Sequence, residues 1–347
     1  MLKPGRGGAA LALCLFAIAA PSRAAAHEGW GVVIDHQGRI YVADIPANVI
    51  WRISPDGRAE PVARGIHSHG LAIGPDGAVY GTDVEPAGGS RRVWRLDSGG
   101  RMQFIVPPGA VDGMGLQSFL VGPDGALYSA SAFQPGSAPG NRTLHLLRRR
   151  VDGTIDTLAG GAVGWRDGTG AAAQFRAIDG MAWLPDGSIV VADGARLRRV
   201  DLAGNVRTLT RPLSRTRWDE DILGVAVAPD GTLIAADFAG RTIRRWPDGP
   251  APVPSPSGRY WSPAGVAAAR GGIYVLEHPR APFGLLGDLG VGPYLRLRWI
   301  GANGQSRVLT RQWGRNTGVA AAGIALIVAI PLAWRRARGR SRRPAAA

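Results

Sequence analysis

Short apolar runs recur in pairs along most of the chain, and each pair is split by a tight polar turn that contains glycine. The pairs read GVVIDHQGRIYVAD (31–44), GLAIGPDGAVYGTD (70–83), FLVGPDGALYSAS (119–131), GMAWLPDGSIVVAD (180–193), GVAVAPDGTLIAAD (224–237) and GVAAARGGIYVLE (265–277). Each run is too short for a helix and rich in Val, Ile, Leu, Tyr and Ala. Pro-Asp-Gly or a substitute joins the two halves, so each pair predicts a β-hairpin whose turn glycine takes positive φ. The turn glycines Gly38, Gly77, Gly125, Gly187, Gly231 and Gly272 lie 39, 48, 62, 44 and 41 residues apart. Such intervals suit one four-stranded unit each, with an insertion accounting for the longest.

The second half of each unit is also visible. Residues 48–53, 92–96, 143–147, 197–200 and 242–246 read as third strands, and several turn through Gly57, Gly100, Gly153 and Gly204 into a fourth. Trp51 and Trp94 each stand six residues before such a glycine and read as packing residues between units. Six repeats of this kind predict an all-β fold, a six-bladed β-propeller of four-stranded antiparallel blades over residues 27–312.

The two ends of the chain have a different pattern. Lys3 and Arg6 precede an apolar run at 8–20, and small residues follow up to Ala24-Ala25-Ala26, which reads as a secretory signal at 1–26. Cleavage fits after Ala26 or after Ala24. At the other end, 318–334 holds 17 residues without a charge, followed by Arg335, Arg336, Arg338, Arg340, Arg342 and Arg343. These features predict a linker at 313–317, a transmembrane helix at 318–334 and an Arg-rich cytoplasmic tail at 335–347. The expected location is therefore the cell membrane, single-pass, with the propeller outside the cytoplasm and the membrane as a partner through the C-terminal helix.

Composition narrows the chemistry. The formal charge is +15, but nine positive charges belong to the two ends, which leaves +6 on residues 27–334. Nucleic acid is not an expected partner for an exported domain of that charge. Cys14 is the only cysteine and lies within the signal, so thiol nucleophiles and cysteine metal sites are excluded from the mature chain.

In a propeller the inner strand A of each blade starts at one face of the central channel, here called the top, and the A–B turns lie at the bottom. Asp76, Asp124, Asp186 and Asp230 are then bottom-turn residues, while Asp44, Asp83, Asp193 and Asp237 end strand B as acceptors for loop backbone. The starts of strand A offer Glu28 and Trp30, His67 and His69, Gln117 and Ser118, Asp179, Asp219 to Asp221, and Tyr260 and Trp261. Glu28, Asp179 and His69 are the candidate ligands for a divalent cation, Ca2+ or Zn2+. His67, Gln117, Asp221 and Trp261 are the candidate ligand-binding residues. His67 and His69 stand two apart, so in extended chain they project to one side.

The stretch GWRDGTGAAAQFRAIDGMAWLPDGSIVVADGARLRRVDLAGNVRTL (164–209) resembles an NHL repeat, and EGWGVVIDHQGRIYVADIPANVIWRISPDG (28–57) resembles the gluconolactonase/senescence-marker group. Both groups are six-bladed propellers. The second resemblance implies a metal held by a Glu before blade one, Asn before blades three and four, and Asp before blade five. Glu28 matches; Gln117 or Ser118, Asp179 and Leu223 stand at the other places, with Asp221 two residues earlier. Two readings follow: a membrane-tethered module that binds a small molecule or protein on its top face, or a metal-dependent hydrolase of lactones or esters.

Overall fold

The computed structural model describes residues 29–84, 91–111, 113–131, 142–213, 222–247, 253–254, 260–279 and 293–313. Blade one comprises β1 (Val32–Ile34), β2 (Ile40–Asp44), β3 (Val49–Ile53) and β4 (Ala59–Arg64). Blade two comprises β5 (Leu71–Ile73), β6 (Val79–Val84), β7 (Arg91–Leu96) and β8 (Met102–Val106). Blade three follows as β9 (Met114–Val121), β10 (Leu127–Ser131), β11 (Thr143–Arg149) and β12 (Ile155–Ala162). Blade four is β13 (Gly168–Thr169), β14 (Met181–Trp183), β15 (Ile189–Asp193), β16 (Arg196–Val200) and β17 (Asn205–Thr208). Blade five is β18 (Ile222–Val227), β19 (Leu233–Asp237), β20 (Thr242–Trp246) and β21 (Val253–Pro254). Blade six is β22 (Trp261–Ala269), β23 (Gly272–Pro279), β24 (Pro293–Gly301) and β25 (Ser306–Trp313).

In every blade four consecutive strands form an antiparallel meander in the phase expected from the hairpins, and blade four adds β13 outside β17. The ring therefore closes without lending a terminal strand to a distant blade. Blade six meets blade one through side chains: Tyr294 donates to Asp44 at 2.9 Å, His278 Nε2 donates to the Gly29 carbonyl at 2.9 Å, and Arg307 donates to the Pro55 carbonyl at 2.9 Å.

The bottom turns are as their residues dictate. The carboxylates of Asp76, Asp124, Asp186 and Asp230 each accept the backbone N–H two residues on. Gly38, Gly77, Gly125, Gly187 and Gly231 take positive φ, but in blade six it is Gly271 and not Gly272 that does so. With two adjacent glycines either could supply the turn, and Gly272 instead begins β23. The long interval before blade four is occupied by β13, which pairs with β17 as a fifth, outer strand. Ala173 and Phe175 bury their side chains between blades three and four, so the small residues and Phe of that lead segment are packing residues.

The core is a set of clusters between neighbouring blades. Trp94 is fully buried between blades one and two, and Trp51 is partly buried between blades six and one. At the axis the inner strands approach so closely that side chains are excluded. A Cβ on Gly70 would lie 2.9 Å from the Gln117 carbonyl oxygen, on Gly180 2.7 Å from that of Leu223, and on Gly224 2.7 Å from that of Ala264. Gly265 meets the Trp30 carbonyl more tightly still.

Among the described residues no helix is long and apolar enough to cross a membrane. The expected single-pass localisation is corrected on that finding: the described chain is built of strands whose apolar faces are covered by neighbouring blades. The segments at 1–28 and 314–347, which contain the expected signal, transmembrane helix and tail, lie outside the described residues.

Two stability measurements check these contacts. Gly224→Ala is expected to lower the unfolding free energy by about 1–3 kcal/mol, the range for forcing an extra carbon into packed structure. Gly99→Ala, at an open turn facing only the Asp97 side chain, should stay within about 0.5 kcal/mol of wild type. Equal effects of the two substitutions would reject the axial constraint.

On the outer face, Arg148 and Arg150 hold the Asp156 carboxyl down at about 2. A depressed folded pKa stabilises above the unfolded value of 3.8, and that stability is lost as pH falls from there through about 2. Asp156→Asn should remove this share of the acid dependence in thermal melts between pH 4 and pH 2, leaving the profile at higher pH unchanged in shape.

Candidate functional site

The inner strands of all six blades enclose a central channel of about 340 Å³. Val32, Leu71, Phe119, Met181, Val225 and Val266 are among its lining residues, and the strand backbones give it polar surface as well. Candidate polar side chains gather at the top, where strand A begins and strand B ends.

The acids at the ends of strand B are structural. Asp83 accepts the His67 backbone N–H at 3.0 Å and pairs with Arg92. Asp193 accepts the N–H groups of Arg176 and Ala177 at 2.7 and 2.8 Å and pairs with buried Arg198 at 2.6 Å. Asp237 accepts the Gly240 N–H and pairs with Arg244 at 3.0 Å. Asp44 accepts from the Ala47 N–H, Trp51 Nε1 and Tyr294; burial pushes its carboxyl above the usual range, and these three donors oppose that shift. Burial likewise raises Asp193 against its backbone donors and Arg198. In blade three Ser131 takes the place of the acid and accepts the His145 N–H at 3.2 Å.

His67 and His69 lie where the loop from blade one enters β5. Both are buried, at 9 % and 5 % exposure, and their Nε2 atoms face each other at 3.2 Å. His67 Nδ1 lies 3.2 Å from Asn48 Oδ1, an acceptor, so this nitrogen carries a proton. In a neutral pair His67 then presents the Nε2 lone pair, and His69 Nε2–H donates to it. Asn48 itself has φ 53°, a left-handed conformation that Asn tolerates better than most residues.

Trp30 connects this pair to the channel. Its indole stands edge-on to His69, with centroids 6.1 Å apart, and packs against Leu223, Phe238 and Ala264 of blades five and six. Trp30 thus reaches across the mouth from blade one toward the far side, and it lines the channel. Its buried Nε1–H has no acceptor. Trp30 therefore places an indole N–H at the channel and backs it with the imidazole pair, an arrangement suited to a small, partly polar ligand.

The other candidates fare differently. Glu28 and Asp221 lie outside the described residues. Gln117 is exposed, Ser118 is buried against the channel, and Asp179 is half-buried, its backbone N–H bonded to the Ala192 carbonyl. Trp261 is buried beneath the Arg296 guanidinium, 4.0 Å from the ring centroid, rather than open to a ligand. Among the described residues no three His, Asp or Glu side chains converge on a point that could hold a metal. Of the expected set of Glu28, Asp179 and His69, Glu28 lies outside the described residues, and His69 Nε2 faces His67 Nε2.

Sequence reasoning overlooked Asn48, read as the first residue of a strand, and the link from Trp30 to His69. The only available signal for Asn48 was an Asn beside the turn, where left-handed backbone is common. The Trp30 contact joins different blades and left no trace in local spacing.

No family model matches the chain, and no curated protein matches it in sequence. Solved structures do match. A streptogramin B lyase structure is 13% identical, with TM-score 0.51, covering 84% of this chain and 85% of its own. A luciferin-regenerating enzyme is 17% identical, with TM-score 0.51 and coverage of 72% and 83%. A gluconolactonase from Xanthomonas campestris is 16% identical, with TM-score 0.50 and the same coverage of 72% and 83%. At such identities the likeness establishes one thing about this chain, which is that it has the six-bladed propeller fold of these enzymes.

Proposed function

We propose that the top of the channel is a binding site for a small organic ligand with at least one oxygen acceptor, and that the chain acts as a ligand-binding propeller. The observation that carries this reading is that Trp30, which lines the channel with a buried indole N–H lacking an acceptor, stands against the His67–His69 pair. Trp30 Nε1–H would orient the polar end of the ligand, and the apolar side chains of the channel wall would take its apolar part.

A second reading is hydrolysis of a lactone or ester. It is favoured by the buried His67–His69 pair, because a neutral imidazole pair keeps one nitrogen lone pair beyond their mutual hydrogen bond, the feature a general base needs. In that case the pair would accept one proton from the attacking water, the two imidazoles sharing the positive charge. Gluconolactonase and lyase activities among proteins of the same fold make such chemistry compatible with the scaffold, and fold alone decides nothing further.

The two readings are separated by one panel of lactones, esters and their hydroxy-acid products, measured for binding by thermal shift and for turnover by acid release. Ligands of the wild type should bind about tenfold or more weakly to His69→Ala and Trp30→Ala, a loss of ~1.4 kcal/mol or more. Asp186→Ala, at the bottom turn, should bind as wild type does. Turnover abolished by His67→Ala would favour the hydrolase, whereas binding without turnover would favour the module. Unchanged affinity in both top-face variants would reject the site.

A further inference from the structure

Blade six differs from the other blades in how its strand-B acid is answered. Asp44, Asp83, Asp193 and Asp237 each meet a single side-chain donor from the third strand of their own blade. Glu277 meets two guanidinium groups. Arg296 Nε donates to it at 2.6 Å, and Arg298 donates through Nη2 at 2.8 and 3.1 Å and through Nε at 3.2 Å. All three residues are buried, at 1 % for Glu277 and 3 % for each arginine.

The charges in this cluster do not balance. Two buried guanidinium groups face one carboxylate, and the strand register sets Arg311 beside Arg296 as a further positive charge. Burial lowers the Arg296 pKa to about 10, with Arg298 and Arg311 adding to the effect and Glu277 opposing it, so Arg296 remains protonated at neutral pH. Its Nη2 is buried and has no acceptor. Trp261 fixes the group from below, 4.0 Å from ring centroid to guanidinium carbon. A buried guanidinium whose Nε is paired with Glu277 while its Nη2 lacks an acceptor, beside a second arginine on the same carboxylate, can take a further anion.

Alternation along β24 shows which way the cluster faces. Leu295 and Leu297 pack with Val32, Ile40 and Ile53 of blade one, so Arg296 and Arg298 are turned to the opposite side, toward blade five. The cluster is thus distinct from the His67–His69 pair, which lies between blades one and two.

We propose that Arg296, floored by Trp261 and supported by Arg298 and Arg311, binds a small oxyanion, a carboxylate or inorganic phosphate, between blades five and six. The burial of Arg296 restricts the occupant to this size class, and the planar guanidinium edge matches an oxyanion better than a spherical halide.

The test uses the full chain and thermal melts titrated with acetate, phosphate or chloride at constant ionic strength. Acetate or phosphate should raise the melting temperature along a saturable curve, with chloride giving no saturable rise. Arg296→Gln should abolish the saturable response. Glu277→Gln, which removes the competing carboxylate, should tighten it about tenfold, and Arg311→Gln at an exposed position should weaken it several-fold. His69→Ala should respond as wild type does, which separates this site from the channel mouth. A wild type without a saturable response to acetate or phosphate overturns the proposal, as does an equal response to chloride. So does an unaltered response in folded Arg296→Gln. Should that variant not fold, unchanged affinity in both Glu277→Gln and Arg311→Gln would overturn it as well.

Discussion

The fold turns on how near the inner strands come to one another at the axis. Six strands that converge on a narrow channel leave no room for a Cβ where one strand begins beside the next. Gly70, Gly180, Gly224 and Gly265 occupy that place in blades two, four, five and six, each against a backbone carbonyl of the following blade. Blade three has buried Ser118 at the corresponding position in the repeat. The close approach sets the channel width, and the width decides what can enter it. His69, just before Gly70, is in consequence held at a rim where backbone positions are closely defined, and the Trp30 carbonyl faces Gly265 there.

A second regularity holds each rim in place. The acid ending strand B satisfies loop N–H groups and takes a donor from strand C, so it ties the top loops to the blade beneath them. Burial alone would make these carboxylates unfavourable as anions, and the directions for Asp44 and Asp193 express that tension. Their donors make ionised acids tolerable there, and the pairing is a condition of the loop conformation rather than a surplus of stability. Arg198 carries this furthest. Fully buried, it bonds Asp193, Asp167 and the carbonyls of Gln174 and Arg166, and so fastens the lead segment of blade four to its third strand.

Much of this was legible in the sequence because repeats express geometry. Hairpin phase, the third strands and the roles of Asp76, Asp124, Asp186 and Asp230 follow from turn chemistry at fixed offsets, and the structure places them so. Gly272 was misassigned by one residue since two adjacent glycines offer the same freedom. The site was less legible for a physical reason. His67 and His69 could be paired from their two-residue spacing, which is a local property of extended chain. The neighbours that give them meaning, Asn48 and Trp30, come from loops of blade one, and their contacts depend on how blades pack. The metal set inferred from Glu28, Asp179 and His69 draws on residues at equivalent repeat positions, and Glu28 lies outside the described residues.

The same contrast explains why blade six is chemically unlike its neighbours while looking like them in the repeat. Arg alternates on the third strands of several blades, and on β7, β11 and β16 it meets Asp76, Asp83, Asp156, Asp186 or Asp193. On β24 the same alternation places Arg296 and Arg298 on one buried face with Glu277 alone to answer them. Charge count along the chain does not reveal this, because an arginine with a carboxylate to itself and one that shares its carboxylate have the same letter. What distinguishes them is burial, which multiplies the consequence of an unmatched charge. A repeat scaffold supplies equivalent positions, and departures from equivalence in buried polar groups are where a propeller acquires chemistry of its own.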